Sequence, residues 1–462
     1  PDGTFRNSSE PTVRGAVYSE VNGRVLRFKD GTTWTFGAGS QGFFFLTALA
    51  DRNGNQLTLT RSGATLNVTA VTAQDGRQLT LAYDAGNRIT QITDPIGRVV
   101  QYQYGGSGRL VSLVDPEGGI TRYVYDAAGR LVTLTDARAL TFLTNEYSPG
   151  SSRVLRQTQV DGGIWKFRYQ LSGARVTGPG CPAPGSQDLS VVIEGTPVCP
   201  KEESAEKVAQ GYQFVGGLVT AATVIDPLDH MTTYRFNGAG HSVSQTDALG
   251  QTTTFIRDGT SNQILSSIDP LGRTTRFEYD AAGNVSRITD PNNQATRFEY
   301  HPTWNRVTKI TDALNQITAF VYDPVNGNLL TVTDPLNHVT TIAYNLFGQP
   351  TSVQGPIASE PPTTFAYDSN GNLITTTDPL GNSTQRVYDA VSRLTALTDP
   401  RGLITQFRYD GLNRVTDIAD ARQGLTRFTY DPNGKLLTVV DAKNQTTAYT
   451  YDTMDRLKTR TD

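Results

Sequence analysis

The stretch TTRFEYD, Thr274 to Asp280, alternates strictly. Thr275, Phe277 and Tyr279 occupy one set of positions, and Thr274, Arg276 and Glu278 the other. A period of two in aromatic and β-branched residues predicts a strand. A turn follows, and VSRITD, from Val285 to Asp290, predicts a second, shorter strand. Nearly the same sentence is written as ITRYVYDAAGRLVTLTD over residues 120–136, and many more times elsewhere. Helical periodicity is sustained nowhere; KEESAEKVAQ, residues 201–210, carries only a weak hint of it. The pattern predicts an all-β chain.

Aligned on the dipeptide Tyr-Asp, the units recur every 21 or 22 residues. A fixed period of this length is the signature of a repeat architecture. Tyr83 with Asp84, Tyr125 with Asp126, Tyr279 with Asp280, Tyr388 with Asp389 and Tyr430 with Asp431 mark it clearly. The second landmark is Asp followed by Pro or Ala, as at Asp94, Asp290, Asp399 and Asp441. Each unit therefore holds two strands and two turns.

Both turns share one chemistry. Asp opens the turn, Pro or Ala follows, and Gly or Asn takes the fourth place, which is the order of a type I turn ending in a left-handed residue. After Tyr-Asp, Gly129, Gly283 and Gly434 hold that place, as do Asn87 and Asn413. Asn tolerates positive φ where branched residues do not. Ser392 and the longer-looking DARQG, residues 420–424, depart from the rule.

The second strand raises a question of facing. Leu110 and Leu113, Leu131 and Leu134, and Leu394 and Leu397 lie three apart. On a regular strand such pairs point to opposite faces. Either the strand bulges at its start, or both faces are partly covered, and the sequence leaves both open.

Four stretches are expected. Residues 1–80 hold divergent strands leading into the array, 81–170 hold repeats, 171–211 form an inserted loop, and 212–462 hold repeats again. The inserted loop contains the only two cysteines, Cys181 and Cys199, each next to proline. A segment outside the repeat register lacks strand partners, so these two are the candidate disulfide, which requires an oxidising compartment. About 40 strands at roughly 4.8 Å each make a ribbon on the order of 190 Å wide. A twisted sheet of that width must curl. One long antiparallel sheet, closing into a spiral or tube, is the fold expected.

Composition narrows the function. A net charge of −3 recommends neither nucleic acid nor an anionic membrane as partner. The longest apolar run, GFFFLTALA at 42–50, is too short for a span of ~20 residues. No signal peptide opens the chain, which starts at Pro1, so a processed or partial product is expected. His230, His241, His301 and His338 are scattered through turns, and no loop has the spacing of a dedicated calcium site. Turn capping accounts for the aspartates. No nucleophile, base and orienting group come together, so no catalytic, cofactor-binding or metal site is expected and the chain reads as a non-enzyme.

The units YDAAGRLVTLTD, YDAAGNVSRITD and DPLGRTTRFEYD resemble YD repeats of the Rhs type. Such repeats are found in bacterial polymorphic toxins, in Tc-toxin shell components and in the animal teneurins. The resemblance covers roughly residues 45–170 and 212–462. It implies a sheet spiralled into a hollow shell around a C-terminal toxin or other passenger, in a secreted or cell-surface protein. A secretion apparatus, or a surface glycan or protein, would be a further partner. The segment DPRGL, residues 399–403, matches the junction at which such arrays are cleaved, but it runs on into an ordinary repeat and reads as a turn. The teneurin-like relatives leave a second reading, an extracellular adhesive or fibre-forming protein.

Overall fold

The computed structural model describes residues 4–6, 17–19, 24–38, 43–179, 181, 199–210 and 213–462. Forty strands form one sheet, each paired antiparallel with its neighbours in the ribbon. The path is a meander in which each hairpin leads to the next. Where the insertion interrupts the repeats, Ile164–Ser172 pairs directly with Leu218–Ile225, so the ribbon continues without a gap. Two short strands, Arg175–Thr177 and Gln213–Val215, pair separately at the base of the insertion. The KEESAEKVAQ segment supplies one helix, Ala205–Ala209, capped by the Ser204 hydroxyl.

The turns form as their residues dictate. The Asp269 N–H donates to the Arg273 carbonyl at 3.0 Å, and the Gly272 N–H donates to the Asp269 carbonyl at 2.9 Å. One Asp269 carboxylate oxygen accepts the N–H groups of Leu271 and Arg273, at 3.0 and 2.9 Å. The fourth residue is left-handed, as at Gly272 (φ 76°) and Asn293 (φ 61°). Two expected exceptions conform. Ser392 takes φ 64°, and DARQG is an ordinary five-residue turn with Gln423, not Gly424, in the left-handed place. The DPRGL segment also folds as this turn, with Gly402 at φ 78°.

A bulge answers the question of facing. Thr274–Tyr279 pairs with Val285–Thr289, and the register shifts between Glu278 and Tyr279. Phe277 then faces Ile288 and Tyr279 faces Val285, so apolar residues three apart share one face. The same shift brings Leu131 opposite Tyr125 and Leu134 opposite Tyr123. It recurs at Leu110 and Leu113 and at Leu394 and Leu397.

The repeating tyrosine completes this arrangement. Between Val415–Ala419 and Leu425–Tyr430 the pairing covers Asp417 to Ala419 and stops short of Val415. The Tyr430 hydroxyl donates to the Val415 carbonyl at 2.8 Å. Tyr83, Tyr104, Tyr279 and Tyr388 reach the equivalent carbonyls of Val68, Ile89, Ile264 and Leu373. Arg257 stands where another unit has Tyr, and its Nε donates to the Ser242 carbonyl at 2.7 Å. Most units thus place a long side chain with a donor at its tip here, and Phe236 is an exception.

The sheet is one layer thick. Its accessible surface is 27,133 Å², against roughly 17,000 Å² expected of a compact globule of this mass. The faces are nevertheless unequal. In Leu425–Tyr430, Phe428 and Tyr430 are half-buried while Arg427 and Thr429 are exposed. With no second layer, curvature makes this difference, because side chains converge on a concave face and splay on a convex one. The ribbon does return upon itself. The turn holding Arg77 meets that holding Ser392, and Arg98 meets Asn413, each pair 315 residues apart in sequence. About 25 strands make one revolution, a perimeter of roughly 120 Å and a bore on the order of 40 Å between backbones. The result is an open spiral, not a closed barrel.

Two substitutions test these local rules. Gly272→Val, in an open site with nothing near its added side chain, should cost about 1–2 kcal/mol from left-handed strain alone, whereas Asn293→Gly should change stability by a few tenths. Equal amide exchange in the two altered hairpins would contradict this. Tyr430→Phe leaves the Val415 carbonyl without its donor and should cost about 1 kcal/mol. The cost should read out as faster exchange confined to the Val415 and Tyr430 hairpins.

Candidate functional site

Alternation of the two turns divides the ribbon into two rims. Turns following tyrosine lie on one, including those opened by Asp84, Asp126, Asp280, Asp389 and Asp431. Turns of the Asp-Pro kind lie on the other, including those opened by Asp94, Asp290, Asp399 and Asp441. The sequence-marked residues Gly129, Gly283 and Gly434 occupy the left-handed place of the tyrosine-side turns, at φ 82°, 82° and 85°. None of these residues converges on a reaction centre. They are spread around the wall, and what they build is the wall.

On the tyrosine-side rim, arginines at the fifth turn position knit successive units. Arg414 binds the Asp410 carboxylate with its Nε at 2.6 Å and donates to the Asp431 carbonyl at 3.0 Å. Its guanidinium lies 4.9 Å from the Tyr430 ring centre. Arg393 repeats this against Asp389, the Asp410 carbonyl and Tyr409. Burial pushes the Tyr430 phenol up, keeping it a donor.

The chemically distinctive feature is the seam between successive revolutions. The Asp-Pro rim of the first revolution, residues 28–163, packs against the tyrosine-side rim of the second, residues 280–456. Arg98 donates to the Gly411 carbonyl at 3.0 Å and to the Asn413 amide oxygen at 2.5 Å. Glu117 accepts the Gly411 N–H. Arg138 binds Asp136 at 2.6 Å on its own turn and Asp455 at 2.5 Å across the seam. Asn433 donates to Asp136 at 2.6 Å, and Arg456 reaches Asp161 at 3.3 Å. Near the other end Trp304, only 7% exposed, wedges between Gly31 and Gly327. A side chain added at Gly31 would lie 2.9 Å from the indole. Local reading of the sequence missed these residues, because their partners lie hundreds of positions away. The available signal was the tryptophan in HPTWN, a bulky aromatic residue in a turn.

The insertion is anchored by buried polar contacts. Glu203, fully buried, accepts from the Ser148 hydroxyl and the Arg153 guanidinium, and Phe214 is fully buried nearby in the chain. Cys181 and Cys199 are joined, with Cα atoms 5.3 Å apart. Residues 182–198 of the inserted loop lie outside the described residues. The histidines serve turns. His230 and His338 each place Nδ1 2.9 Å from the Asp carboxylate opening their turn, Asp226 and Asp334. His301 substitutes for that Asp, its Nδ1 accepting the N–H groups of Thr303 and Trp304 at 3.2 Å. Among the described residues no three His, Cys, Asp or Glu side chains gather as metal ligands.

Several turn aspartates, Asp84, Asp334 and Asp378 among them, are held below their ordinary titration range. At Asp84 the main cause is the Arg88 side chain, followed by its backbone N–H. At Asp334 the His338 backbone N–H is the main cause, and at Asp378 the Asn382 side chain. A carboxylate whose folded pKa lies below its unfolded value stabilises the fold above the unfolded value and loses that contribution as pH falls through the folded one. Melting temperature should therefore stay level down to the ordinary carboxylate value near 3.8 and fall steadily below it. A melting temperature insensitive to acid across that window would exclude the turn carboxylates as fasteners.

Comparison with known proteins identifies the repeats. The family described as RHS Repeat matches residues 64–95, 86–120, 106–141, 258–295, 279–317, 367–404, 388–425 and 430–462. No curated protein sequence matches the chain. Among solved structures, TcdB2-TccC3 is similar at 14% identity and a TM-score of 0.42, over 92% of this chain and 29% of that one. TcdB2-TccC3-TEV is similar at 14% and 0.43, over 95% and 27%. The Photorhabdus luminescens Tc holotoxin pore is similar at 14% and 0.32, over 96% and 30%. The chain spans less than a third of the length of these structures. The period, the tyrosine-supported bulge and the repeated family match together place the chain in the RHS (YD) repeat family.

Proposed function

We propose that this chain is a wall segment of a larger secreted or surface RHS protein, and that the wall encloses a C-terminal toxin or other passenger. The observation that carries the reading is the return of a one-layer sheet upon itself after about 25 strands, with a polar seam holding one revolution to the next. A solvated bore on the order of 40 Å across offers space for a polypeptide, and half-buried aromatic and aliphatic side chains line the concave face. In this reading residues 81–170 and 212–462 are wall, residues 1–80 lead into it, and the insertion at 171–211 decorates one rim. The role is a scaffold, and chemistry belongs to the passenger. The Cys181–Cys199 bridge suits an oxidising compartment outside the cytosol. No helix among the described residues is long and apolar enough to cross a membrane.

The test is limited proteolysis of the native full-length product, followed by mass mapping. An enclosing wall predicts a passenger cleaved more slowly than the same segment expressed alone. Arg98→Ala combined with Arg138→Ala removes seam contacts and should restore much of that cleavage while strand content is unchanged. A passenger cleaved equally fast with and without its wall would reject enclosure and favour the adhesive reading.

A further inference from the structure

Most arginines of the seam carry a carboxylate from their own turn. On the Asp-Pro side Arg77 binds Asp75 at 2.6 Å, Arg98 binds Asp94 at 2.7 Å and Arg138 binds Asp136 at 2.6 Å. On the tyrosine side Arg393 and Arg414 bind Asp389 and Asp410, each at 2.6 Å. Arg52 departs from this. It reaches across the seam to the Asn328 amide oxygen, with Nε at 3.4 Å and Nη2 at 3.3 Å. The Asp51 carboxylate that opens its turn is occupied by the Asn53 N–H at 2.8 Å, the Asn55 N–H at 3.0 Å and the Asn55 side-chain amide at 2.8 Å. The Asp30 carboxylate accepts the Thr32 N–H of its own turn at 2.9 Å.

Arg306 departs as well. The turns closed by Arg88, Arg130, Arg393 and Arg414 open on an aspartate that binds the arginine. Arg306 closes a turn that opens on His301, which offers no carboxylate. Among the described residues Arg306 has no ion-pair partner, and its buried Nε has no acceptor. The Nε1–H of Trp304, two residues earlier, is also buried without an acceptor. The two arginines are neighbours across the seam. Burial, and after it the charge of Arg306, hold the Arg52 guanidinium below its ordinary value, against the opposing influence of Asp51, Tyr344 and Asp30. Both arginines also act on the Tyr322 and Tyr344 phenols, which burial pushes up. Arg52 Cβ and the Trp304 ring lie against Gly31 together, 2.7 and 2.9 Å from where its side chain would begin.

Two guanidinium groups this close repel, and a half-buried place is screened less than open water. One anion between them removes the repulsion and accepts their N–H groups. Guanidinium forks match the oxygens of phosphate and sulfate. A tetrahedral dianion has four oxygens, enough to serve two forks at once. A bulky carrier would have to part the seam, since Trp304 is 7% and Asn328 1% exposed. We propose that Arg52 and Arg306 bind one free tetrahedral oxyanion, phosphate or sulfate, which fastens the first revolution to the second beside Trp304. One arginine comes from each revolution, so the ion binds the docked arrangement and stabilises it as concentration rises.

Isothermal titration of the full chain with sodium phosphate and with sodium sulfate, at an ionic strength held constant with sodium chloride, tests this. Binding should saturate at one ion per chain, and amide exchange in residues 51–55 and 301–306 should slow in step with occupancy. Arg52→Gln and Arg306→Gln should each weaken binding by about tenfold or more, the loss of one charge-assisted contact. Gln263 already closes a turn of the same length, opened by Asp258, so Arg306→Gln should fold, and unchanged circular dichroism would show it. Arg98→Gln removes a seam arginine that lies elsewhere and should leave the affinity unchanged. That control separates a site from the general stabilisation that sulfate gives any fold. Wild-type chain without saturable binding, exchange slowed no more than by chloride, or affinity equal in wild type and both site variants would each overturn the proposal.

Discussion

The structure depends on a bulge repeated once in each unit and, in most units, on the tyrosine that supports it. Each short strand is bulged against the tyrosine before it, as Val415–Ala419 is at Tyr409, and its ladder to the following strand stops short of its first residue. In most repeats the hydroxyl of the next tyrosine bonds that residue's carbonyl, as Tyr430 does for Val415 at 2.8 Å. Because the hydroxyl tolerates the bulge, the bulge can recur on one side of every repeat. A bulge bends its strand and adds twist. Bulged pairs alternate with unbulged ones, such as Val285–Thr289 against Ala295–Tyr300, so the bends accumulate in one sense. Curvature, and from it the spiral, the bore and the seam, follow from this repeated defect.

A wall of this kind has little conventional core. The described apolar residues that are fully enclosed are few, and Leu155, Leu171, Phe214, Ala221 and Ile225 cluster where the insertion joins the ribbon. Elsewhere each hairpin is held by its neighbours, and stability is approximately a sum of local terms. That explains the density of fasteners at the turns. Asp caps two N–H groups, Arg links the carboxylate to the following unit, and the guanidinium covers the next tyrosine. Each bond is modest, since exposed ion pairs contribute about 0–1 kcal/mol. Repetition supplies the total.

This local character decides what the sequence revealed. Strand alternation, turn chemistry and the left-handed fourth position depend on residues within one unit, and all were legible. The bulge was legible only as an ambiguity, because leucines three apart fit two geometries until the pairing partner is known. Ser392 and DARQG read as exceptions because side-chain preference is weaker than the hairpin's demand for a left-handed residue. The seam could not be read locally at all. Arg138 and Asp455 are 317 positions apart, and their meeting depends on how many strands complete one revolution. That number arises from summed small bends, which no single unit encodes.

The rims nevertheless leave a trace once the revolution is known. A purely structural turn needs Asp at its first place and a left-handed residue at its fourth, but it makes no demand on the third, which projects from the edge. Variation there is therefore free to report what the edge meets. On the Asp-Pro rim it is mostly polar where the seam lies, with Ile96 an exception, mostly leucine from Leu228 to Leu380, with Asn292 an exception, and basic at Arg401, Arg422 and Lys443. Much of what distinguishes one repeat from another therefore lies at the edges, while the strands between them carry the shared instructions for curvature.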